Sequence, residues 1–275
     1  KGTGKNAWKY RKEAQKQMDN CRTAIPAWIM PLYRITETIK PVPGMFDYVI
    51  IDEASQAGPD ALFLLFIAKK LIIVGDDKQT ALEYIGIHTD SVESLLQKHL
   101  HDFPFANFYG HQHSFYDLAK IFIESGGGKV TLREHFRCMP EIIEFSNRNF
   151  YEPFGNSLYP LKQFSEKRLE PIKTTYVNDG VSEGTSSVLY NLAEVKEICD
   201  TIESCMKDEQ YDGKTMGVIS LRGPNQAQRI EKMLLDRFGP EELEKRRIIC
   251  GTSASFQGDE RDVIYLSMVI DGKRN

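Results

Sequence analysis

The sequence has 275 residues, enough for one large domain or two modest ones, and its formal charge is −4. A groove can be locally basic on an acidic protein, so this charge does not exclude nucleic-acid binding. The cysteines include no C-x-x-C pair, and we interpret them as reduced thiols of a cytoplasmic protein rather than a disulfide framework. No apolar run reaches the ~18 residues of a membrane span, and no signal peptide opens the sequence, so no membrane association is expected.

Two short apolar runs in the first half each stop at acidic residues. They are FDYVIIDEASQ, residues 46–56, and LIIVGDD, residues 71–77. Continuous apolar runs of this length are typical of strands in the interior of a parallel sheet. The apolar segment 59–68 between them predicts a buried helix, so strand, helix and strand form a βαβ unit.

The second half repeats this alternation of strands and helices. A helical stripe begins at Leu192, Asn225 is a candidate N-cap of a later helix, and strands are predicted at 215–221, 248–250 and 262–269. The triple glycine at 126–128 marks a domain boundary. The sequence therefore predicts an α/β protein with domains at 1–128 and 129–275, each with a parallel sheet flanked by helices.

Asp52 and Glu53 are adjacent acids at the end of the first predicted strand. Neighbouring carboxylates there are costly unless a cation or a proton transfer uses them. An Asp in this position can hold Mg²⁺, and the next Glu can orient or deprotonate a water that attacks a phosphoryl group. The alternative is that Asp52 begins a turn or caps the following helix.

Asp76 and Gln79 follow the next strand, in GDDKQ. The carboxyl ends of neighbouring parallel strands meet at one edge of a sheet, where ligands bind. Because an amide can both donate and accept hydrogen bonds, Gln79 is a candidate sensor of the same phosphate. The alternative for Gln79 is a surface turn.

DEASQ followed by GDDKQ resembles the Walker B and third motifs of superfamily 1 helicases. The similar branch is the one containing the nonsense-mediated-decay helicase and its bacterial AAA-domain relatives. The segment 132–151, LREHFRCMPEIIEFSNRNFY, resembles the fourth motif of that branch. The segment 217–234, GVISLRGPNQAQRIEKML, resembles the strand–helix motif that follows, and 251–269, GTSASFQGDERDVIYLSMV, resembles the fifth motif. The motifs keep the family's order from about residue 25 to 270, which implies two RecA-like lobes, both incomplete.

The resemblance implies a role for each matching residue around ATP. Asp52 matches the magnesium-associated Asp, Glu53 the catalytic base and Gln79 the sensor of the terminal phosphate, with Asp76 beside it. Arg137 in HFRC resembles an arginine finger, since a guanidinium suits the charge that develops on a transferred phosphoryl group. The alternative for Arg137 is a salt bridge with a neighbouring glutamate, Glu134 or Glu141.

In the fifth motif, Gly258 is implied to permit a close backbone approach and Glu260 to touch the nucleotide's ribose or an inter-lobe partner. Thr252, Gln226 and Gln257 resemble residues at the nucleic-acid strand, where uncharged groups can bind phosphate and sugar without reading sequence. The alternatives for Thr252 and Gln226 are helix caps or loop hydrogen bonds.

The sequence departs from the family at several points. Asp77 and Thr80 stand where the third motif usually continues with prolines, which puts the shape of that loop in doubt. Gly2 to Lys5 imitates the tail of a phosphate cradle, but Asn6 replaces its Ser or Thr. A sixth motif is not recognised before residue 275, so we expect a piece from the middle of a helicase motor.

The predicted function is therefore that of a helicase or translocase piece that couples ATP hydrolysis, with Mg²⁺, to movement on single-stranded DNA or RNA. By resemblance, translocation would run 5′ to 3′, and a nuclease-like domain could lie elsewhere in the full-length protein. The chain by itself is expected to be inactive or very slow. The alternative is a non-hydrolysing helicase-like scaffold that binds nucleic acid or a protein partner.

Overall fold

A computed structural model of the chain describes residues 7–79, 88–110, 112–124, 128–162, 164, 168–185 and 188–271. The chain divides into two compact units, the first unit at Lys1–Thr131 and the second unit at Leu132–Asn275. Among the helices of the described ranges, none has the length and apolar character needed to cross a bilayer.

The first unit contains a pair of parallel strands with helices before, between and after them. Its helices and strands are α1 (Ala7–Cys21), α2 (Leu32–Thr38), β1 (Phe46–Ile51), α3 (Phe63–Ile67), β2 (Ala68–Ile73), α4 (Thr89–Leu100) and α5 (Phe115–Glu124). The predicted parallel pairing is confirmed, with Ile51 opposite Ile73. The predicted helix at 59–68 is shorter than expected: it starts as a 3₁₀ turn at Pro59–Leu62, and Ala68 already pairs with Phe46.

The core of the first unit lies on one face of this sheet. Its buried residues come from the end of α2, β1, the turn after β1, the 3₁₀ turn at Pro59–Leu62, α3 and α5. They are Ile39, Ile51, Ala54, Ala61, Leu64, Ile67 and Phe115. Tyr48 and Ile50, which point to the other face, are 58% and 65% exposed. The prediction that β1 lies fully inside a sheet is therefore wrong for the described residues, which give β1 one partner strand and cover one of its faces.

The second unit is built around a three-stranded parallel sheet of order β6-β5-β7 and a separate parallel pair, β3 with β4. Its helices and strands are β3 (Glu134–His135), α6 (Pro140–Ser146), β4 (Tyr159–Pro160), α7 (Leu192–Lys207), β5 (Met216–Ser220), α8 (Pro224–Lys245), β6 (Ile249–Thr252) and β7 (Val263–Ser267). α8 is interrupted at Gly239, where φ is +74°, because the following Pro240 cannot donate to the helix ladder. The three strands predicted from the sequence are confirmed with shifted ends.

The core of the second unit forms where α7 and α8 pack on β5. It includes Val195, Ile198, Cys199, Ile202, Met216, Val218, Ile230 and Leu234. Burying each large aliphatic side chain contributes about 1.5–3 kcal/mol before the cost of ordering the chain. Together, the two units confirm the predicted α/β class with parallel sheets flanked by helices.

Capping residues fix where these helices begin. Asn191 caps α7, since its side chain accepts a hydrogen bond from the backbone N–H of Glu194 at 3.2 Å. The predicted cap at Asn225 is wrong. α8 begins after Gly223 with Pro224 in its first turn, and the Asn225 amide donates instead to the carbonyl of Val188 at 2.9 Å.

Candidate functional site

Asp52 and Glu53 form a tight turn directly after β1. The backbone N–H of Glu53 donates to Asp52 Oδ1 at 3.0 Å, so Asp52 does begin a turn. Glu53 has φ +51°, an uncommon conformation for a residue with a Cβ. Its carboxylate accepts a hydrogen bond from Gln56 Nε2 at 3.0 Å. The Asp52 carboxylate is exposed, so the turn leaves it accessible to a ligand.

Backbone hydrogen bonds join this turn to the segment after β2. Val74 N–H donates to the carbonyl of Ile51, and Ala54 N–H donates to the carbonyl of Val74, both at 2.8 Å. Gly75 follows, and a Cβ there would lie 2.8 Å from the ring of Tyr116, so a larger residue would have to displace that ring. Both acidic segments therefore leave the sheet at the same edge, as the sequence predicted.

The third-motif loop, residues 75–79, is closed by its own side chains. Asp76 Oδ1 accepts from Lys78 N–H at 2.9 Å, and Asp76 Oδ2 accepts from Gln79 Nε2 at 3.1 Å. Gln79, the candidate phosphate sensor, is therefore hydrogen-bonded to the carboxylate of Asp76. Residues 80–87, including the departure at Thr80, lie outside the described residues, as does the cradle-like stretch at 1–6.

Lys120 of α5 holds Asp77, the residue that departs from the family pattern. Its Nζ lies 2.9 Å from Asp77 Oδ2 and 3.1 Å from Asp117 Oδ1. Burial disfavours the charged form of Asp77, but the hydrogen bond and charge of Lys120 outweigh it and lower the pKa of that carboxyl. Sequence reasoning missed Lys120 because it lies 43 residues from Asp77 and belongs to none of the motifs.

In the second unit, Arg137 and Glu260 form an ion pair, with Nε 3.0 Å from Oε2. Both side chains are exposed. The alternative partners considered from the sequence, Glu134 and Glu141, are wrong, and Glu141 instead pairs with Arg168. The contact joins a residue of the fourth motif to one of the fifth. Exposed pairs of this kind are weak, about 0–1 kcal/mol, so Arg137 can leave Glu260 at little cost.

The backbone around Arg137 is held more firmly than its side chain. The ring of His135 accepts a hydrogen bond from Cys138 N–H at 3.0 Å, and Lys162 Nζ donates to the carbonyl of Arg137 at 3.0 Å. Burial, followed by the charges of Arg137 and Lys162, lowers the pKa of His135. A neutral ring can accept the Cys138 N–H, so the lowered pKa preserves this turn.

The fifth motif begins with a capped 3₁₀ turn after β6. The Thr252 side chain accepts from Ser255 N–H in a capping box, which is the helix-cap alternative considered from the sequence. Gly258 has φ +73°, a conformation that favours glycine. Within the part of the chain that the structure describes, Gln257 Nε2 is buried and has no hydrogen-bond partner, which marks Gln257 as a residue that a ligand could satisfy.

Gln226 is not at a surface, and its predicted contact with nucleic acid is wrong. It is 0% exposed. Its Oε1 accepts from Asn191 N–H at 2.9 Å, and its Nε2 donates to Ser267 Oγ at 3.1 Å. A buried amide must satisfy both its donor and its acceptor, and these bonds do so inside the protein. Gln226 therefore ties α8 to the start of α7 and the end of β7.

Asp52, directly after β1, has the chemistry to hold a magnesium ion. Mg²⁺ prefers oxygen ligands and usually takes one or two protein carboxylates together with phosphate oxygens and water. Asp52 offers an exposed carboxylate of this kind. In the described ranges there is no group of three or more His, Cys, Asp or Glu that could hold a metal by itself.

Similarities to known proteins agree with the helicase-like motifs. The chain is 27% identical over 274 residues to "uncharacterized ATP-dependent helicase MG140" of Mycoplasma genitalium, covering 95% of this chain and 23% of that protein. It is 25% identical over 251 residues to the MG140 homolog of Mycoplasma pneumoniae, covering 84% of this chain and 20% of that protein.

A "probable helicase with zinc finger domain" of Danio rerio is 28% identical over 170 residues, which is 60% of this chain and 8% of that protein. The chain thus spans about a quarter or less of each of these relatives. Residues 116–275 match the family described as an AAA domain, which is more than half of the chain. These matches confirm the resemblance to helicases, and the chain belongs to the AAA-domain family.

Proposed function

We propose that the chain is part of a longer ATP-dependent helicase or translocase. The observation that carries the proposal is the register of β1 and β2, in which Ile51 lies opposite Ile73. Because of this register, Asp52, Glu53 and Asp76 leave the sheet at one edge, where parallel α/β sheets bind ligands. The relatives named ATP-dependent helicases support the same activity.

In this proposal the first unit acts on the nucleotide. Asp52 holds Mg²⁺ through its exposed carboxylate, and the ion supplies charge neutralisation at the phosphates when bound. Glu53 accepts a proton from the attacking water, a role that a positioned carboxylate can fill. Gln79 leaves Asp76 and contacts the terminal phosphate.

The second unit supplies groups that respond to the nucleotide and to the nucleic-acid strand. Arg137 leaves Glu260 and stabilises the charge on the transferred phosphoryl group, a role worth about 10³ to 10⁵ in rate. Glu260 then contacts the ribose, and Gly258 allows the backbone to approach the nucleotide closely. We propose that Thr252 and Gln257 contact the strand, Gln257 through its unpaired Nε2. Thr252 can still donate its own hydroxyl hydrogen while it caps the turn.

The remaining assignments follow from the family resemblance. We propose two RecA-like lobes at 1–128 and 129–275, a single-stranded DNA or RNA partner, and 5′-to-3′ movement. A nuclease-like domain elsewhere in the full-length protein and a cytoplasmic location belong to the same proposal.

The test replaces Glu53 by glutamine in the full-length protein. Steady-state ATP hydrolysis should fall by about 10² to 10⁴, the usual contribution of a general base. Binding of a fluorescent ATP analogue should stay within about threefold, because Gln keeps the size of the side chain and an oxygen that can accept from Gln56 Nε2. The matched control is Glu93→Gln, on the exposed face of α4, which should behave as wild type.

Three outcomes would count against parts of the proposal. An unchanged hydrolysis rate in Glu53→Gln would remove Glu53 from its role as base. Loss of ATP binding together with turnover would assign it a binding role instead. A wild-type protein that binds ATP and nucleic acid without turnover would favour the non-hydrolysing scaffold.

A further inference from the structure

Lys120 forms a bridge between α5 and the third-motif loop. Its ammonium group contacts the carboxylates of Asp77 and Asp117 and lies 5.4 Å from the ring centre of Tyr116. The Lys120 side chain is 26% exposed, so this contact is better shielded from solvent than the pairs Arg34–Glu37 and Lys69–Asp47 in the described part of the first unit. Partly shielded ion pairs are screened less by salt than exposed ones.

Hydrogen bonds hold the start of α5, the helix that carries this lysine. Phe115, which is 3% exposed, donates its backbone N–H to the carbonyl of Ala57 at 2.7 Å. Asp117 Oδ2 accepts from both the N–H and the hydroxyl of Ser114, at 3.0 and 2.7 Å. These bonds fix the first turn of α5 beside the turn that carries Glu53.

The ring of Tyr116 adds a steric contact to the same loop. A Cβ at Gly75 would meet this ring at 2.8 Å and the backbone nitrogen of Ser55 at 3.1 Å. The loop therefore leaves β2 in a narrow space bounded by α5 and the turn after β1. Two residues later, Asp77 reaches Lys120, so the loop is held at both its entry and its middle.

We propose that Lys120 is a positioning residue that fixes the third-motif loop and thereby directs Gln79 toward the terminal phosphate. This inference rests on the proposed function. The ion pair between Lys120 and Asp77 supplies the rigidity that prolines would give this loop in the family pattern. Gln79 is two residues from Asp77, so a shift of the loop moves the sensor directly.

The ionisation of both partners agrees with this arrangement. Burial disfavours the charge on Lys120, but the hydrogen bonds and charges of Asp77 and Asp117 outweigh it, and its pKa is raised. The pKa of Asp77 is lowered. The contact is therefore fully charged from above the ordinary pKa of an aspartate to below the ordinary pKa of a lysine, a range that includes neutral pH.

A purely structural role for Lys120 would give a different result. In that case Lys120 would serve only to stabilise α5 through its pair with Asp117, and its loss would weaken folding and all ligand binding together. A positioning role predicts a selective loss. ADP lacks the terminal phosphate that Gln79 contacts, so ADP binding should be insensitive to the loop while ATP turnover is not.

The experiment uses the full-length protein with Lys120→Met, Asp77→Asn and the double variant. Methionine keeps an unbranched chain over Tyr116, and Asp77→Asn leaves the pair between Lys120 and Asp117 in place. We expect kcat for ATP to fall about 10- to 100-fold in each single variant, since a misplacement near 1 Å costs up to about 10². The double variant should be no slower than the slower single variant, because both changes break one contact.

The controls distinguish a misplaced third-motif loop from a loss of folding or of all nucleotide binding. ADP affinity should stay within about twofold and the melting temperature within about 3 °C in all three variants. Lys120→Arg should retain most of the activity, since it keeps the charge. Lys69→Met, which breaks the exposed 2.7 Å pair with Asp47 in the same unit, should behave as wild type.

An unchanged kcat in Lys120→Met and Asp77→Asn would overturn the inference, as would additive losses or a parallel loss of ADP affinity. If Lys120→Met does not fold, Asp77→Asn decides the question alone. A wild-type protein without ATP turnover would instead overturn the proposed function, and this inference with it.

Discussion

Replacing Gln226 by alanine should destabilise the second unit, because this side chain satisfies buried polar groups on two other elements. Its Oε1 accepts from Asn191 N–H, and its Nε2 donates to Ser267 Oγ. Asn191 is 3% exposed and Ser267 is 0% exposed, so neither group is in contact with bulk water in the folded protein. The carbonyl of Asn191 still accepts from Val195 N–H at 3.0 Å and remains satisfied.

The expected magnitude follows from these two orphaned groups. A buried donor or acceptor left without a partner costs about 1–3 kcal/mol, so the pair costs about 2–6 kcal/mol, with a central value near 4. This is a large part of the ~5–15 kcal/mol stability of an ordinary domain. Since 1.4 kcal/mol corresponds to a factor of ten in an equilibrium constant, the loss should raise the equilibrium population of the open second unit by about 10³.

Hydrogen exchange followed by mass spectrometry measures this loss in peptides that cover α7 and β5. Tryptophan fluorescence would not report it, because Trp8 and Trp28 both lie in the first unit. The matched control is Gln228→Ala, an exposed glutamine on the same helix, which should change stability by less than about 0.5 kcal/mol. Equal exchange in the two variants would refute the structural role of Gln226.

Two further predictions concern the core of the second unit. Burial raises the pKa of Cys199 to about 11 and of Cys250 to about 12, and the thiolate is the reactive form. Iodoacetamide at pH 8 should therefore alkylate the exposed Cys21 at least about 100-fold faster than the buried Cys199 or the partly buried Cys250, and comparable rates read by mass spectrometry would contradict this burial. Gly217→Ala should destabilise the second unit by about 1–3 kcal/mol, because the new Cβ would lie 2.6 Å from the ring of Phe256. Hydrogen exchange of β5 no faster than wild type would show that the ring can move aside.

The elements that the sequence predicts well are those with strong local patterns. The stripe along α7 and the apolar run of β5 repeat at the spacing of a helix and a strand, so burial follows from the pattern. Parallel pairing of β1 with β2 follows because a helical segment of suitable length separates them. From this pairing, the common edge of Asp52 and Asp76 could also be predicted.

Contacts between distant residues could not be predicted in the same way. Lys120 carries no local signal that it meets Asp77, and the departure at Asp77 indicated a changed loop shape without indicating a partner. Gln226 was misassigned because a polar residue in a helicase-like motif suggests a ligand contact. Its amide instead forms hydrogen bonds with buried groups of the protein. For Arg137, the alternative to an arginine finger was an ion pair within its own segment, but the residue pairs with Glu260, 123 residues away.

The exposure of β1 was mispredicted for a related reason. A continuous apolar run indicates a strand that can be buried on both faces, but it does not say which segments cover each face. In the described residues, Tyr48 and Ile50 stay exposed beside the buried Ile51.

The ATP hydrolysis rate of the full-length protein, measured with Mg²⁺ and titrated with single-stranded DNA and single-stranded RNA, tests the central claim most directly. We predict Mg²⁺-dependent turnover that rises with at least one of the two strands and falls to background in Glu53→Gln. Turnover no higher than that of Glu53→Gln under every condition would contradict the proposal that these residues form part of an ATP-driven motor.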